Sequence, residues 1–166
     1  NMNPKGMAID PAVLNLANRD SSAYAVRVGY EGIKDLKISA AYSSTDEDGQ
    51  LSIQNVAASG QSKLYTEAWW NYGFVGAPGA DSYNVTAEYN AGFAKLGIYY
   101  TDATVRPTAV ANNKELTEVT LTASKPFGPL ETTLAYISTD ATTGNTNVNA
   151  NGARYDSVQA YLSLNF

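Results

Sequence analysis

Eight charged residues fall on the polar side of alternating segments: Arg27, Lys37, Lys63 and Lys95 against Glu67, Glu88, Glu118 and Glu131. The chain has no cysteine and no histidine. That excludes thiol nucleophiles, disulfides, imidazole bases and the usual zinc ligands. A serine hydrolase normally activates its nucleophile through histidine, so a lipase-like enzyme finds no base here. What fixed charges can still do is decide which mobile ions dwell beside them. The inward set balances, four cations against four anions, while Asp46, Glu47, Asp48, Asp81 and Asp140 put the acidic excess into connections. The run Asp46-Glu47-Asp48 also invites a calcium reading, because hard cations take clustered carboxylates. It lacks the EF-hand pattern, and a solvated acidic loop is the bland alternative. No cofactor is required by anything else in the chain.

The elements that must position these charges are strands. Alternation with period two dominates the sequence. Tyr24, Val26, Val28 and Tyr30 alternate with Ala25, Arg27 and Gly29. Leu36, Ile38, Ala40 and Tyr42 oppose Lys37, Ser39 and Ala41. The same pattern recurs around Tyr83–Tyr89, Leu96–Tyr100, Val119–Ala123, Leu130–Tyr136 and Val158–Phe166. Residues 64–74 alternate too, with Leu64, Thr66, Ala68, Trp70, Tyr72 and Phe74 opposing Tyr65, Glu67, Trp69, Asn71 and Gly73. With Gly, Asn, Asp and Pro between segments, this predicts an all-β antiparallel fold.

Three features turn the apolar face toward lipid, making the fold a transmembrane β-barrel. Aromatics sit at strand ends on that face (Tyr24, Tyr30, Tyr83, Tyr89, Tyr42, Tyr72, Phe74, Tyr100, Tyr136 and the closing Phe166) with aliphatic or small residues between, as in two aromatic girdles around an apolar band. Strand charges avoid that face, where a mid-depth charge costs about 2–4 kcal/mol. Composition agrees: 44 % of residues are hydrophobic and only 16 % charged, against about a quarter in typical soluble domains. The net charge of −5 disfavours a nucleic-acid partner.

Connections alternate in length. Residues 31–35, 90–93 and 125–129 are short links, expected in the periplasm; 102–115 and 138–153 are long and expected outside. The stretch 43–62 fits this parity if 50–57 is a further strand, with Leu51 and Ile53 on one side. The reading is then nine strands over residues 23–166, with 1–22 an extracellular loop or inward-folded segment. Nine strands beginning from the outside make part of a larger barrel of roughly 16–18 strands.

The ending Ala160-Tyr161-Leu162-Ser163-Leu164-Asn165-Phe166 resembles the terminal signal of outer-membrane barrels. The resemblance implies that Ala160, Leu162, Leu164 and Phe166 are read by the barrel-assembly machinery. The stretch from Ser62-Lys63-Leu64-Tyr65-Thr66-Glu67 through Ala68-Trp69-Trp70-Asn71-Tyr72-Gly73 resembles the major outer-membrane porins of Campylobacter and its relatives. That resemblance implies a homotrimer in the outer membrane of a Gram-negative bacterium, passive cation-favouring diffusion, and a calcium ion in the lumen; no calcium ligand can be matched residue by residue.

The function expected is therefore passive passage of ions and small hydrophilic solutes, modestly cation-selective, with outer-membrane lipids as surroundings. The pore-lining set is Arg27, Lys37, Lys63, Tyr65, Glu67, Trp69, Glu88, Lys95, Glu118 and Glu131, in which Glu67, Glu88 and Glu118 set the preference. Tyr65 and Trp69 either narrow the passage or fill space. A pore-less structural or adhesive barrel, with residues 139–152 as its binding surface, is the alternative from another class. A soluble β-domain is a third reading, separated from both by detergent dependence.

Overall fold

The computed structural model describes residues 22–47, 64–71, 73–107, 113–143, 146–147 and 154–164. Strands β1 (Ala23–Ile33), β2 (Leu36–Thr45), β3 (Ala80–Asn90), β4 (Lys95–Val105), β5 (Lys114–Phe127), β6 (Leu130–Thr143), β7 (Thr146–Asn147) and β8 (Tyr155–Leu164) form one antiparallel sheet. Neighbours in sequence are neighbours in space from β1 to β7, and β8 also pairs with β6. No helix occurs among the described residues.

Three connections are tight, and each carries a residue at positive φ. Asp35 has φ 62°, Gly92 φ 82° and Gly128 φ 63°. Glycine, and less readily Asp, adopts that region, so the turn chemistry and the short links agree. The β2–β3, β4–β5 and β6–β8 connections are the longer ones, and all lie at the opposite end. The sheet thus has a tight-turn end and a long-loop end.

Register carries side chains straight across the sheet. Arg27 faces Ala41, which faces Asn84, then Thr101, Glu118 and Thr139. One row toward the long loops lie Ala25, Ser43, Ser82, Ala103, Leu116 and Ala141. These residues share one face, and it is small and largely polar. From β2 to β6 it is also the buried face: Ser43, Ser82, Ala103, Leu116 and Glu118 are all inaccessible. The other face bears Val85, Ile98, Leu121, Leu134 and Tyr136, all exposed, with Ile98 54 % accessible in mid-sheet. This inverts a water-soluble sandwich, which buries its aliphatic side. An apolar surface this extensive meets lipid or another protein, not water.

One expectation is corrected. The described residues of 64–74 form no strand; they lie across the buried face as irregular chain. The described residues hold seven long strands and the two-residue β7. The additional strand expected at 50–57, with its turn at 58–62, lies outside the described residues, as do 1–21. β2 and β3 are direct antiparallel neighbours, so Thr45 and Ala80 lie at the same end of the sheet. β1 and β8, the outermost long strands among the described residues, run in the same direction. Antiparallel closure of the sheet therefore takes an odd number of further strands.

Candidate functional site: the inner wall and the segment laid on it

From the apolar side of 64–74, Thr66, Ala68 and Phe74 are buried against the sheet, while Trp70 is exposed. The segment crosses the strands instead of pairing with them. Thr66 hydroxyl lies 2.5 Å from that of Ser43 on β2. Thr101 on β4 donates to the Glu67 carbonyl at 3.2 Å. Over β5 and β6 the chain meets Glu118. Its Oε1 accepts the N–H groups of Trp69 at 2.5 Å and Trp70 at 3.0 Å. Its Oε2 accepts the Asn71 N–H at 3.2 Å, the Asn71 amide at 3.0 Å and the Thr139 hydroxyl at 3.3 Å.

Glu118 is only 2 % exposed. A buried carboxylate is costly unless its oxygens are satisfied, and consecutive backbone N–H groups off any ladder are equally costly. Each solves the other's problem here. The Asn71 side chain also donates to the Thr139 hydroxyl, tying the crossing to β6. The expectation that Glu118 presents its charge to water is thus corrected: it lies on the expected face, but its charge holds the crossing segment.

The return path is apolar. Phe74 and Val75 pack with Ala68, Ala103, Leu116 and Ala141, and Leu64 flanks them. Ala77 packs with Ala80 and Val105. The Thr45 hydroxyl donates to the Ala77 carbonyl at 2.5 Å and accepts the Ala80 N–H at 2.8 Å. Small wall residues are what allow so close an approach. Phe74, expected on the lipid side with Leu64, is instead in this inner cluster.

On its tight-turn side the segment overhangs a cleft of about 840 Å³, lined by Arg27, Tyr65, Glu67, Trp69, Glu88 and Tyr99 among others. The Trp69 ring lies 5.1 Å from Tyr99 and 6.2 Å from Tyr161, centroid to centroid. Its indole N–H donates to the Tyr161 hydroxyl at 3.1 Å, which in turn donates to Gln159. Tyr99 donates to Glu88 at 2.7 Å, and Lys95 pairs with Glu88 at 3.0 Å. Tyr99 can lie along its strand because Gly97 precedes it by two. A Cβ at Gly97 would come within 2.7 Å of the Tyr99 ring and 2.5 Å of the Thr122 hydroxyl.

Further toward the tight turns, a second cavity of about 810 Å³ is lined by Lys37, Glu88, Lys95 and Glu131 with Glu31 and Lys34. Lys37 pairs with Glu31 at 3.1 Å. Of the residues singled out from sequence, one cleft gathers Arg27, Tyr65, Glu67, Trp69 and Glu88. The other gathers Lys37, Lys95 and Glu131, and Glu88 borders both. Lys63 and Phe166 lie outside the described residues; Ala160, Leu162 and Leu164 lie along β8, all exposed. Sequence reading passed over Asn71, Thr139, Tyr99 and Tyr161. Tyr99 and Tyr161 had a signal, being bulky aromatics on the polar side of their strands.

Two members of the acidic run have partners among the described residues. Glu47 is paired with Arg106, which also binds Asp81 at 2.7 Å, and Asp46 accepts the Ser22 hydroxyl at 3.4 Å. Asp48 lies outside the described residues. Among the described residues no three carboxylates converge.

An antiparallel sheet with an apolar outer face, a small polar inner face and a chain segment folded against that inner face has the construction of an outer-membrane β-barrel wall. The sequence profile of the Gram-negative porins matches residues 3–161, and the chain belongs to that family. No curated protein and no solved structure matches it. Family membership implies an outer-membrane location and puts the chain among channel proteins.

Proposed function

We propose that the chain forms part of the wall of a channel for ions and small hydrophilic solutes, and that residues 64–71 narrow its lumen. The observation that carries this is the Glu118 clamp. A buried carboxylate that binds three successive backbone N–H groups commits the segment to the inner wall. On this reading the long loops are extracellular and the tight turns periplasmic. The sheet is an arc of a larger barrel of roughly 16–18 strands, the size that leaves an aqueous passage. Residues 62–73 support a likeness to the trimeric Campylobacter porins, and with it assembly as a homotrimer.

Fixed charge supports modest cation preference. Glu118 is withdrawn from the lumen, so Glu67 and Glu88 with the loop acids carry it. In planar bilayers under a potassium chloride gradient, detergent-purified protein gives discrete current steps with a cation-signed reversal potential. Glu67→Gln moves that potential toward zero. A silent membrane with the protein inserted overturns the channel, and a neutral reversal overturns the preference.

A further inference from the structure

The cations of the inner wall are not equivalent. Lys37 is paired with Glu31, and Lys95 with Glu88. Arg27 lines the aromatic cleft, yet it forms no ion pair and no hydrogen bond among the described residues. It is exposed, and only Ala41 separates it from Asn84 in its row. A guanidinium offers a planar fork of donors that matches a carboxylate in two parallel hydrogen bonds.

Beside this fork stand broad rings. Tyr65 is 58 % exposed and holds φ 62°, a strained backbone for a bulky residue, which sets its ring at the cleft. Trp69 and Tyr99 form the adjoining wall. Aromatic pairs gain from offset and edge contacts beyond the area they bury. The charges that could favour an organic cation are engaged differently: Glu88 already accepts from Tyr99 and Lys95. Glu67, which has a partner of its own, is the cleft's other anion, so a second negative charge on a solute is repelled. The volume, about 840 Å³, lies within the usual range for small-molecule sites.

We propose that this cleft is a binding subsite for small aryl monocarboxylates, with the carboxylate on Arg27 and the ring against Tyr65 and Trp69. The subsite rests on the channel reading, since it is reached through the lumen. It also coexists with net cation preference, which the mouth and the other acids set.

Trp69 and Trp70 are the chain's two tryptophans, so intrinsic fluorescence reports on the cleft directly. Titrating benzoate into the full chain in detergent gives a saturable fluorescence change. Arg27→Gln weakens the apparent affinity roughly tenfold or more, as loss of a charge-assisted bidentate contact requires. Arg27→Lys, which keeps the charge and loses the fork, falls between. Phthalate, with two carboxylates, and benzylammonium, with the opposite charge, both bind more weakly than benzoate. Equal affinity of the wild type and Arg27→Gln, or benzylammonium binding as tightly as benzoate, overturns the subsite. Bilayer current in plain potassium chloride tests the channel separately. Conducting channels whose protein shows no benzoate response overturn the subsite alone, whereas a silent bilayer with Arg27-dependent binding overturns the channel and upholds the subsite.

Discussion

Near the long loops the inner wall is dry and made of small residues; near the tight turns it is open and charged. Both halves are built from the same strands. In the covered half, Ser43, Ser82, Ala103 and Leu116 lie under the crossing segment, and Glu118 spends its charge on backbone N–H groups. In the open half, Lys37, Glu88, Lys95 and Glu131 line a water-accessible cavity, where Lys37 pairs with Glu31 and Lys95 with Glu88. The same residue type does different work according to what lies over it. A glutamate under protein is an anchor, and a glutamate under water is part of the lumen's field.

Removing the anchor breaks this contrast most severely. Glu118→Ala leaves the N–H groups of Trp69, Trp70 and Asn71 without their acceptor, together with the Asn71 amide. A buried donor left without its acceptor costs about 1–3 kcal/mol, and several are stranded here. The segment is expected to leave the wall, so single-channel conductance rises and becomes noisy. The midpoint of unfolding in detergent falls as well. Glu118→Gln keeps one acceptor oxygen and falls between. Unchanged conductance with Glu118→Ala would mean that the segment is held by its apolar return path alone.

A smaller effect is expected from crowding the covered half without touching a charge. Ala103 is 1 % exposed and packs with Ala68, Phe74, Val75, Leu116 and Ala141. Ala103→Leu inserts bulk between wall and segment, at about 1–3 kcal/mol for an overpacked site. The segment is then displaced into the lumen, and conductance falls instead of rising. Opposite signs for Glu118→Ala and Ala103→Leu are the sharpest check that one segment governs the passage.

How much of this could be read from sequence follows from where period two has a single meaning. In β2–β6 and β8 the alternation, the turn residues and the exclusion of charge from one face all agree, and the strands formed where expected. In 64–74 alternation describes an extended chain with two unlike sides, and nothing in it says what the apolar side meets. Trp69, Trp70 and Asn71 would satisfy their N–H groups equally well on a neighbouring strand or on a carboxylate, and the carboxylate is 47 residues or more away in sequence. Glu118 itself looks like any lumen charge until the segment covers it. The aromatic cleft was half legible: Tyr65, Trp69 and Glu67 were grouped by proximity in the chain, while Tyr99 and Tyr161 joined them only through folding.

The smallest effect belongs to the open half and completes the comparison. Lys37 and Glu31 pair at 3.1 Å, but both side chains are well exposed, at 62 % and 67 %. Water screens such a pair, and holding two long side chains together costs entropy, so its worth is within about 1 kcal/mol. Lys37→Met should therefore leave the unfolding midpoint nearly unmoved. Its consequence is electrostatic. One lumen cation disappears and Glu31 is left uncompensated, so the reversal potential in a salt gradient shifts further toward the cation side, and more at low salt than at high because exposed charges are screened. If Lys37→Met destabilised the barrel as much as Glu118→Ala, the open half would be as structural as the covered one, and the division of labour drawn between them would fail.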